Sequence, residues 1–163
     1  MSRLVPLELV RIDERLIHGQ VLVGWGRPLD LDFYVVVDDA LASSEWEQEL
    51  WASALAGEER AEFLGVEEAA RRFGELGARV ARGALLTRDT ATMRALAERG
   101  CLDGRAVNVG GVYAADGRKK ILGYVHLSPE EVEDLRVIGE HASVSARNLP
   151  TAPEVRLDAR KLR

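Results

Sequence analysis

The apolar positions change their period several times along the chain, and each change predicts an element. Leu7-Glu8-Leu9-Val10-Arg11-Ile12 alternates as a strand does, and Val21-Leu22-Val23-Gly24-Trp25 then carries an apolar stretch suited to opening a buried helix. Residues 33–37 form a continuous apolar run, as a strand covered on both faces requires. Ser44-Glu45-Trp46-Glu47 has the form of a capping box. The helix it opens would carry Trp46, Leu50, Trp51, Ala54 and Leu55 on one face, which predicts both tryptophans in the core. A short strand at 62–64, a helix at 66–73, a strand at 84–86 and a helix at 90–99 closed by Gly100 follow.

Strands that alternate with helices predict an α/β fold: an open, mostly parallel twisted sheet with helices on both faces. Beyond Gly104 the pattern changes. Residues 105–109 read as a strand, Gly110-Gly111 allows a close backbone approach that a side chain would obstruct, and Asp116-Gly117 marks a turn between extended arms. A C-terminal antiparallel hairpin is expected, with 120–127 as its second arm. Ser128-Pro129-Glu130-Glu131 then combines an N-cap, a proline at the first helical position and a capping glutamate, so a helix should run to Gly139. Residues 142–148 return as a final strand.

Composition narrows the class. A chain of 163 residues with 47% hydrophobic content fits one domain over 1–163 with its own core. A net charge of -5 argues against a nucleic-acid footprint, which needs a basic stripe, and against attraction to anionic lipid. Cys101 is the single cysteine, so there is no disulfide framework and no thiol pair, and a reducing cytoplasm is the expected setting. Met1-Ser2-Arg3-Leu4-Val5-Pro6 has no apolar core of signal-peptide length, and no apolar run approaches the roughly 20 residues of a spanning helix. Any meeting with a membrane would go through other subunits. His126 and His141 lack the near spacing of a metal cluster and read as ordinary histidines, so neither metal nor cofactor is expected. Arg118-Lys119-Lys120 reads as a solvated turn.

The chemistry lies in Arg11-Ile12-Asp13-Glu14-Arg15-Leu16-Ile17-His18-Gly19-Gln20-Val21, which sets one histidine between a strand and a helix with arginines seven and three positions before it. Amides and the helix dipole favour an anion there, Arg11 and Arg15 can supply planar donor forks, and an imidazole can act as nucleophile. The same residues also permit a plainer arrangement in which His18 and Gly19 cap or pack while Asp13 and Glu14 neutralise the arginines.

This string resembles the active-site segment of the IIB components of the mannose/fructose/sorbose family of the bacterial sugar phosphotransferase system. The likeness runs from residue 7 to about residue 157. Val35-Val36-Val37-Asp38-Asp39 is similar to the family's second strand and its acidic end, Leu85-Leu86-Thr87-Arg88 to a strand entering a second active-site loop, and Asn108-Val109-Gly110-Gly111 to its Asn-Val-Gly-Gly turn. The resemblance implies a cytoplasmic protein-histidine phosphotransferase. His18 would accept a phosphoryl group on Nδ1 from a IIA component and pass it to a sugar handled by membrane IIC and IID components. It implies Arg15 as the phosphate-contacting arginine, with Arg11 as a second basic neighbour. Arg11, Gly19 and Thr87 are expected to help bind phosphate, and Asp13, Asp38, Gly110 and Gly111 are expected to play supporting roles around the loops at the strand ends. Thr87-Arg88-Asp89-Thr90 departs from the family, which usually places a proline in that loop. A homodimer is a further candidate assembly. Two other classes stand beside the transport carrier: a regulatory phosphohistidine protein without a transporter, and a small-molecule binding domain that has kept only the fold.

Overall fold

The computed structural model of the chain describes residues 7–78 and 81–163, with side chains omitted at 77 and 78, so the leading segment Met1-Ser2-Arg3-Leu4-Val5-Pro6 lies outside the described residues. The chain folds into two compact units. One takes the chain up to Val10 and Leu16–Leu86; the other takes Arg11–Arg15 and Thr87–Arg163. Strand β1 (Leu7–Ile12) contributes residues to both.

In the first unit the strand order is β3-β2-β4-β1, with β2 at Phe33–Val37, β3 at Arg60–Leu64 and β4 at Gly83–Thr87. β2 pairs in parallel with both neighbours, Val36 facing Phe63 and Leu86, and every residue of β2 and β4 is buried. The all-apolar run predicted a strand covered on both faces, and that is what forms. Its core gathers Leu9, Leu16, Val21, Trp25, Tyr34 and Leu86 among others. The connections between these strands carry the α-helical segments α1 (Arg27–Leu29), α2 (Asp39–Ala42), α3 (Glu45–Ala52), α4 (Val66–Arg71) and α5 (Phe73–Ala78). The stretch that should open the first helix is wound instead as a π-helix, Gln20–Gly26, which runs into α1. Such wide turns are rare and cluster at functional sites.

The helix α3 corrects two expectations. Ser44 is its N-cap but makes no side-chain cap hydrogen bond, and Trp46 and Leu50 stand 68% and 61% exposed. Trp51 and Leu55 face the core instead. Helical spacing defines a stripe, and a helix with tryptophans on two sides offers two stripes; the packing chose the one that meets the core cluster.

In the second unit the order is β1-β5-β8-β9, with β5 at Ala106–Val109, β8 at Ser143–Ala146 and β9 at Val155–Arg156. β5 runs parallel to β1, with Arg11 opposite Asn108, and β9 closes the edge antiparallel to β8. The helices are α6 (Thr90–Glu98), capped by Asp89, and α7 (Pro129–Gly139), where both halves of the predicted capping box form at Ser128 and Glu131. They are tied by Thr90 Oγ1, which donates to Asp134 Oδ2 at 2.7 Å. The antiparallel hairpin is β6 (Lys119–Leu122) with β7 (Val125–Leu127), so its two arms both lie within or beside the predicted second arm. Asp116-Gly117 does turn, with Gly117 at φ +82, but the chain reverses between the strands at Gly123 and Tyr124.

Candidate active site

The carboxyl end of β1 carries a buried charge cluster. Arg11 and Asp13 are both 0% exposed, a placement that demands nearly complete pairing. Arg11 has five N–H donors, and each meets a protein acceptor. Nε and Nη2 reach Asp13 Oδ2 at 3.3 and 3.0 Å; Nη1 donates to Asn108 Oδ1 and to the Arg147 carbonyl at 2.8 Å; Nη2 also donates to the Asn148 carbonyl at 3.4 Å. Burial pulls the guanidinium below its ordinary pKa while Asp13 opposes that shift. Its donors are committed inside the protein.

Asp13 grips Arg15 from its other side. Arg15 Nε donates to Oδ1 at 3.0 Å and Nη2 to Oδ2 at 2.8 Å, a two-point fork, and the Arg15 backbone N–H also donates to Oδ1 at 3.0 Å. These bonds hold the guanidinium above its ordinary pKa against the opposing effect of burial. Its side chain is 29% exposed and lies 5.6 Å from the centroid of the Tyr113 ring. Among the described residues the other three N–H groups of Arg15 make no hydrogen bond. One carboxylate between two guanidiniums leaves the cluster with excess positive charge, carried where Arg15 meets solvent.

The glycines that follow β5 are there for close approach. A Cβ on Gly110 would lie 2.1 Å from Arg11 Nη2 and 2.5 Å from Asp13 Oδ2, and one on Gly111 would lie 2.5 Å from Tyr113 Oη. Gly110 N–H donates to the Ile12 carbonyl and Gly111 accepts from Glu14 N–H at 2.9 Å, so this turn is laced to the end of β1. Thr87 joins the same cluster through its carbonyl, which accepts from Asp13 N–H at 2.9 Å. Its hydroxyl hydrogen is given to the Asp89 carbonyl at 2.9 Å, which shapes a loop that lacks the family's proline.

Arg118 is not a solvated turn residue. It forks onto Glu131 at 2.8 and 2.9 Å and donates to Glu14 Oε1 and to the Tyr113 carbonyl, thereby anchoring Glu14 to the start of α7. Sequence reasoning missed Tyr113 and Arg118 as parts of this network, and read the Asn108 turn without its bond to Arg11, because the partners are remote in the chain. No local spacing announces them.

His18 belongs to the first unit. Gln20 backbone N–H donates to His18 Nδ1 at 3.2 Å, and the His18 carbonyl accepts from Leu22 N–H at 2.9 Å. The amide expected to meet an anion therefore meets the ring. Two residues earlier, Leu16 adopts φ +48, a left-handed backbone that is costly for a branched side chain by about 1–2 kcal/mol. Complete burial of its side chain in the core holds it there. A Cβ on Gly19 would meet nothing within 4 Å. Asp38 is the N-cap of α2, its Oδ1 accepting from Leu41 N–H at 3.0 Å. The other histidines are engaged elsewhere, His126 Nδ1 with the Val112 carbonyl and His141 Nδ1 with Asp103.

Comparison with known proteins identifies the family. The family described as PTS system sorbose subfamily IIB component matches residues 7–159. An N-acetylgalactosamine-specific phosphotransferase enzyme IIB component of Escherichia coli is 34% identical over 131 residues, 80% of this chain and 82% of the relative. The crystal structure of the IIB component 1 specific for that sugar, from the same species, superposes with a TM-score of 0.81 at 31% identity, covering 91% of this chain and 97% of that one. A fructose-specific EIIB component of Bacillus subtilis is 26% identical over 149 residues, 91% of each chain. The IIB domain of the sorbose permease from Klebsiella pneumoniae shares the fold, with a TM-score of 0.83 at 21% identity and 93% coverage of both chains. Among the described residues no helix is long and apolar enough to cross a membrane. From the start of β1 to beyond β9, the chain belongs to the sorbose subfamily of IIB components of the phosphotransferase system.

Proposed function

We propose that His18 carries the phosphoryl group of this IIB component, on Nδ1. A IIB component of this family accepts a phosphoryl group from a IIA component and transfers it to a sugar, which makes the chain a phosphotransferase. The observation that carries the assignment is the hydrogen bond from Gln20 N–H to His18 Nδ1 at 3.2 Å. A backbone N–H only donates, so Nδ1 presents its lone pair and the proton of the neutral ring sits on Nε2. That tautomer makes Nδ1 the nucleophile.

The lone pair forms the Nδ1–P bond as the donor's bond to phosphorus breaks, and the Nε2 proton stays in place. The Gln20 N–H, released from the lone pair, turns to a phosphoryl oxygen. In the second step a sugar hydroxyl attacks phosphorus and gives up its proton to water, and Nδ1 departs with its electron pair, leaving the neutral ring with its Nε2 proton. Arg15 lies three residues before His18, a tether of at most about 11 Å, and its three uncommitted N–H groups suit the equatorial oxygens. Arg11, with all five donors engaged, serves as the brace that aims Asp13 and through it Arg15. Thr87, Gly110 and Gly111 shape the same support, Gly19 leaves room for the phosphoryl group, and Asp38 acts through the start of α2.

The protein works in the cytoplasm as one domain, between a IIA donor and membrane IIC and IID components. Relatives named for N-acetylgalactosamine and for fructose match over most of the chain, so the likeness supports the phosphoryl step rather than one sugar. Incubation with enzyme I, HPr, a IIA component and labelled phosphoenolpyruvate tests the reading. Label should enter the wild type and be absent from His18→Ala; label retained in that variant contradicts it.

A further inference from the structure

The outer face of α3 is apolar where a solvated helix is polar. Trp46 and Leu50, one turn apart, are exposed, while Trp51 and Leu55 pack into the first unit's core. Gln48 sets the helix's rotation, since its amide donates to the carbonyls of Leu41 at 2.8 Å and Ala42 at 3.2 Å. A tryptophan held out in water with a leucine beside it has the character of an interface anchor. The charge on the helix has one sign. Glu45 and Glu49 are exposed, Glu47 is half-buried, and α3 has no basic residue, in a chain whose net charge is -5.

That charge selects the occupant. A second copy presenting the same face would set like charges against each other across a two-fold axis. An anionic bilayer would repel it. What complements it is an apolar socket ringed by lysine and arginine, and cytoplasmic loops of membrane proteins carry that basic excess.

We propose that the outer face of α3, centred on Trp46 and Leu50, docks on a Lys/Arg-rich cytoplasmic loop of the membrane component to which this protein delivers its phosphoryl group. The proposal rests on the phosphocarrier reading. Trp46 and Leu50 fill the socket, Glu45 and Glu49 pair with cations at its rim, and the affinity falls as salt rises.

The test uses the whole protein, nanodiscs holding its IIC and IID components, and two variants, Trp46→Ser/Leu50→Ser and Glu45→Lys/Glu49→Lys. Each variant should raise the Kd for loaded nanodiscs, and the KM for the phosphorylated protein in sugar phosphorylation, by at least about tenfold. Both should still take up phosphate from IIA at the wild-type rate, which also reports that they are folded. Unchanged Kd and KM in the variants overturn the docking proposal while the phosphocarrier reading stands. Equal binding to empty nanodiscs of anionic lipid overturns it too, as does a wild-type dimer in sedimentation that the variants dissociate. A wild type that takes no label from IIA overturns the phosphocarrier reading, and this proposal with it.

Discussion

The two ends of the segment from Arg11 to Arg15 share one carboxylate and are built for opposite tasks. At the β1 end, Arg11 is sealed from solvent and gives all five N–H groups to Asp13, Asn108 and the 147–148 backbone. At the loop end, Arg15 spends two side-chain donors on Asp13, leans on Tyr113 and keeps the rest toward solvent. A guanidinium with no spare donor can position; one with spare donors can bind. The buried arginine braces the exposed one, which suits the phosphate-binding role proposed for Arg15, because phosphoryl transfer is catalysed mostly by alignment and charge.

The comparison breaks most severely at the shared carboxylate. Asp13→Ala leaves Arg11 buried without its counter-charge, so denaturant unfolding should show a loss of about 3–5 kcal/mol; a loss under about 1 kcal/mol would mean that the cluster tolerates an unpaired guanidinium. Gly110→Ala comes next. Its new Cβ would lie 2.3 Å from the Arg11 guanidinium carbon, among atoms that cannot yield without breaking hydrogen bonds, and about 1–3 kcal/mol of stability should be lost.

Arg15→Lys separates the two ends. It replaces a planar fork by a point charge, so stability should change little while phosphoryl transfer in rapid quench slows at least about tenfold, or about 1.4 kcal/mol. Equal rates would move Arg15 from the binding group to the bracing group. The smallest effect concerns Glu131, which anchors Arg118 and through it Glu14. Burial alone would raise its pKa, but the Arg118 fork and the Ser128 backbone outweigh that and hold it below its ordinary 4.5. A depressed carboxyl stabilises the fold above the unfolded pKa and ceases to do so as pH falls through the folded value. The stability difference between wild type and Glu131→Gln should therefore be full at neutral pH and shrink below about pH 4.5; a difference independent of pH contradicts the ion-pair account.

What the chain reveals in advance is what is local. The apolar run of β2, the capping box of α7 and the Gly110-Gly111 close approach each have a cause within a few residues, and each forms as predicted. The His18 segment identified the family for the same reason. Choices that depend on distant partners were hidden: Trp46 rather than Trp51 facing out, Arg118 folding onto Glu14 and Glu131, and Tyr113 under Arg15. The left-handed Leu16 and the π-helical winding after Gly19 were hidden as well, since both run against local preference and persist only because the surrounding core holds them. The Asp116-Gly117 pair illustrates the limit, for it is a real turn, closed by Arg118 N–H on the Ala115 carbonyl at 3.1 Å, while the antiparallel pairing forms farther on, between β6 and β7.

The central claim is that the phosphoryl group is carried on His18 Nδ1, and nitrogen NMR of the protein labelled with 15N-histidine tests it most directly. Before phosphorylation, His18 should show the neutral tautomer with its proton on Nε2 and an unprotonated Nδ1, as the Gln20 amide requires. After transfer from IIA, a nitrogen–phosphorus coupling should appear at Nδ1 of that one histidine and be missing in His18→Ala. Coupling at His18 Nε2, or at either ring nitrogen of His126 or His141, would contradict the account.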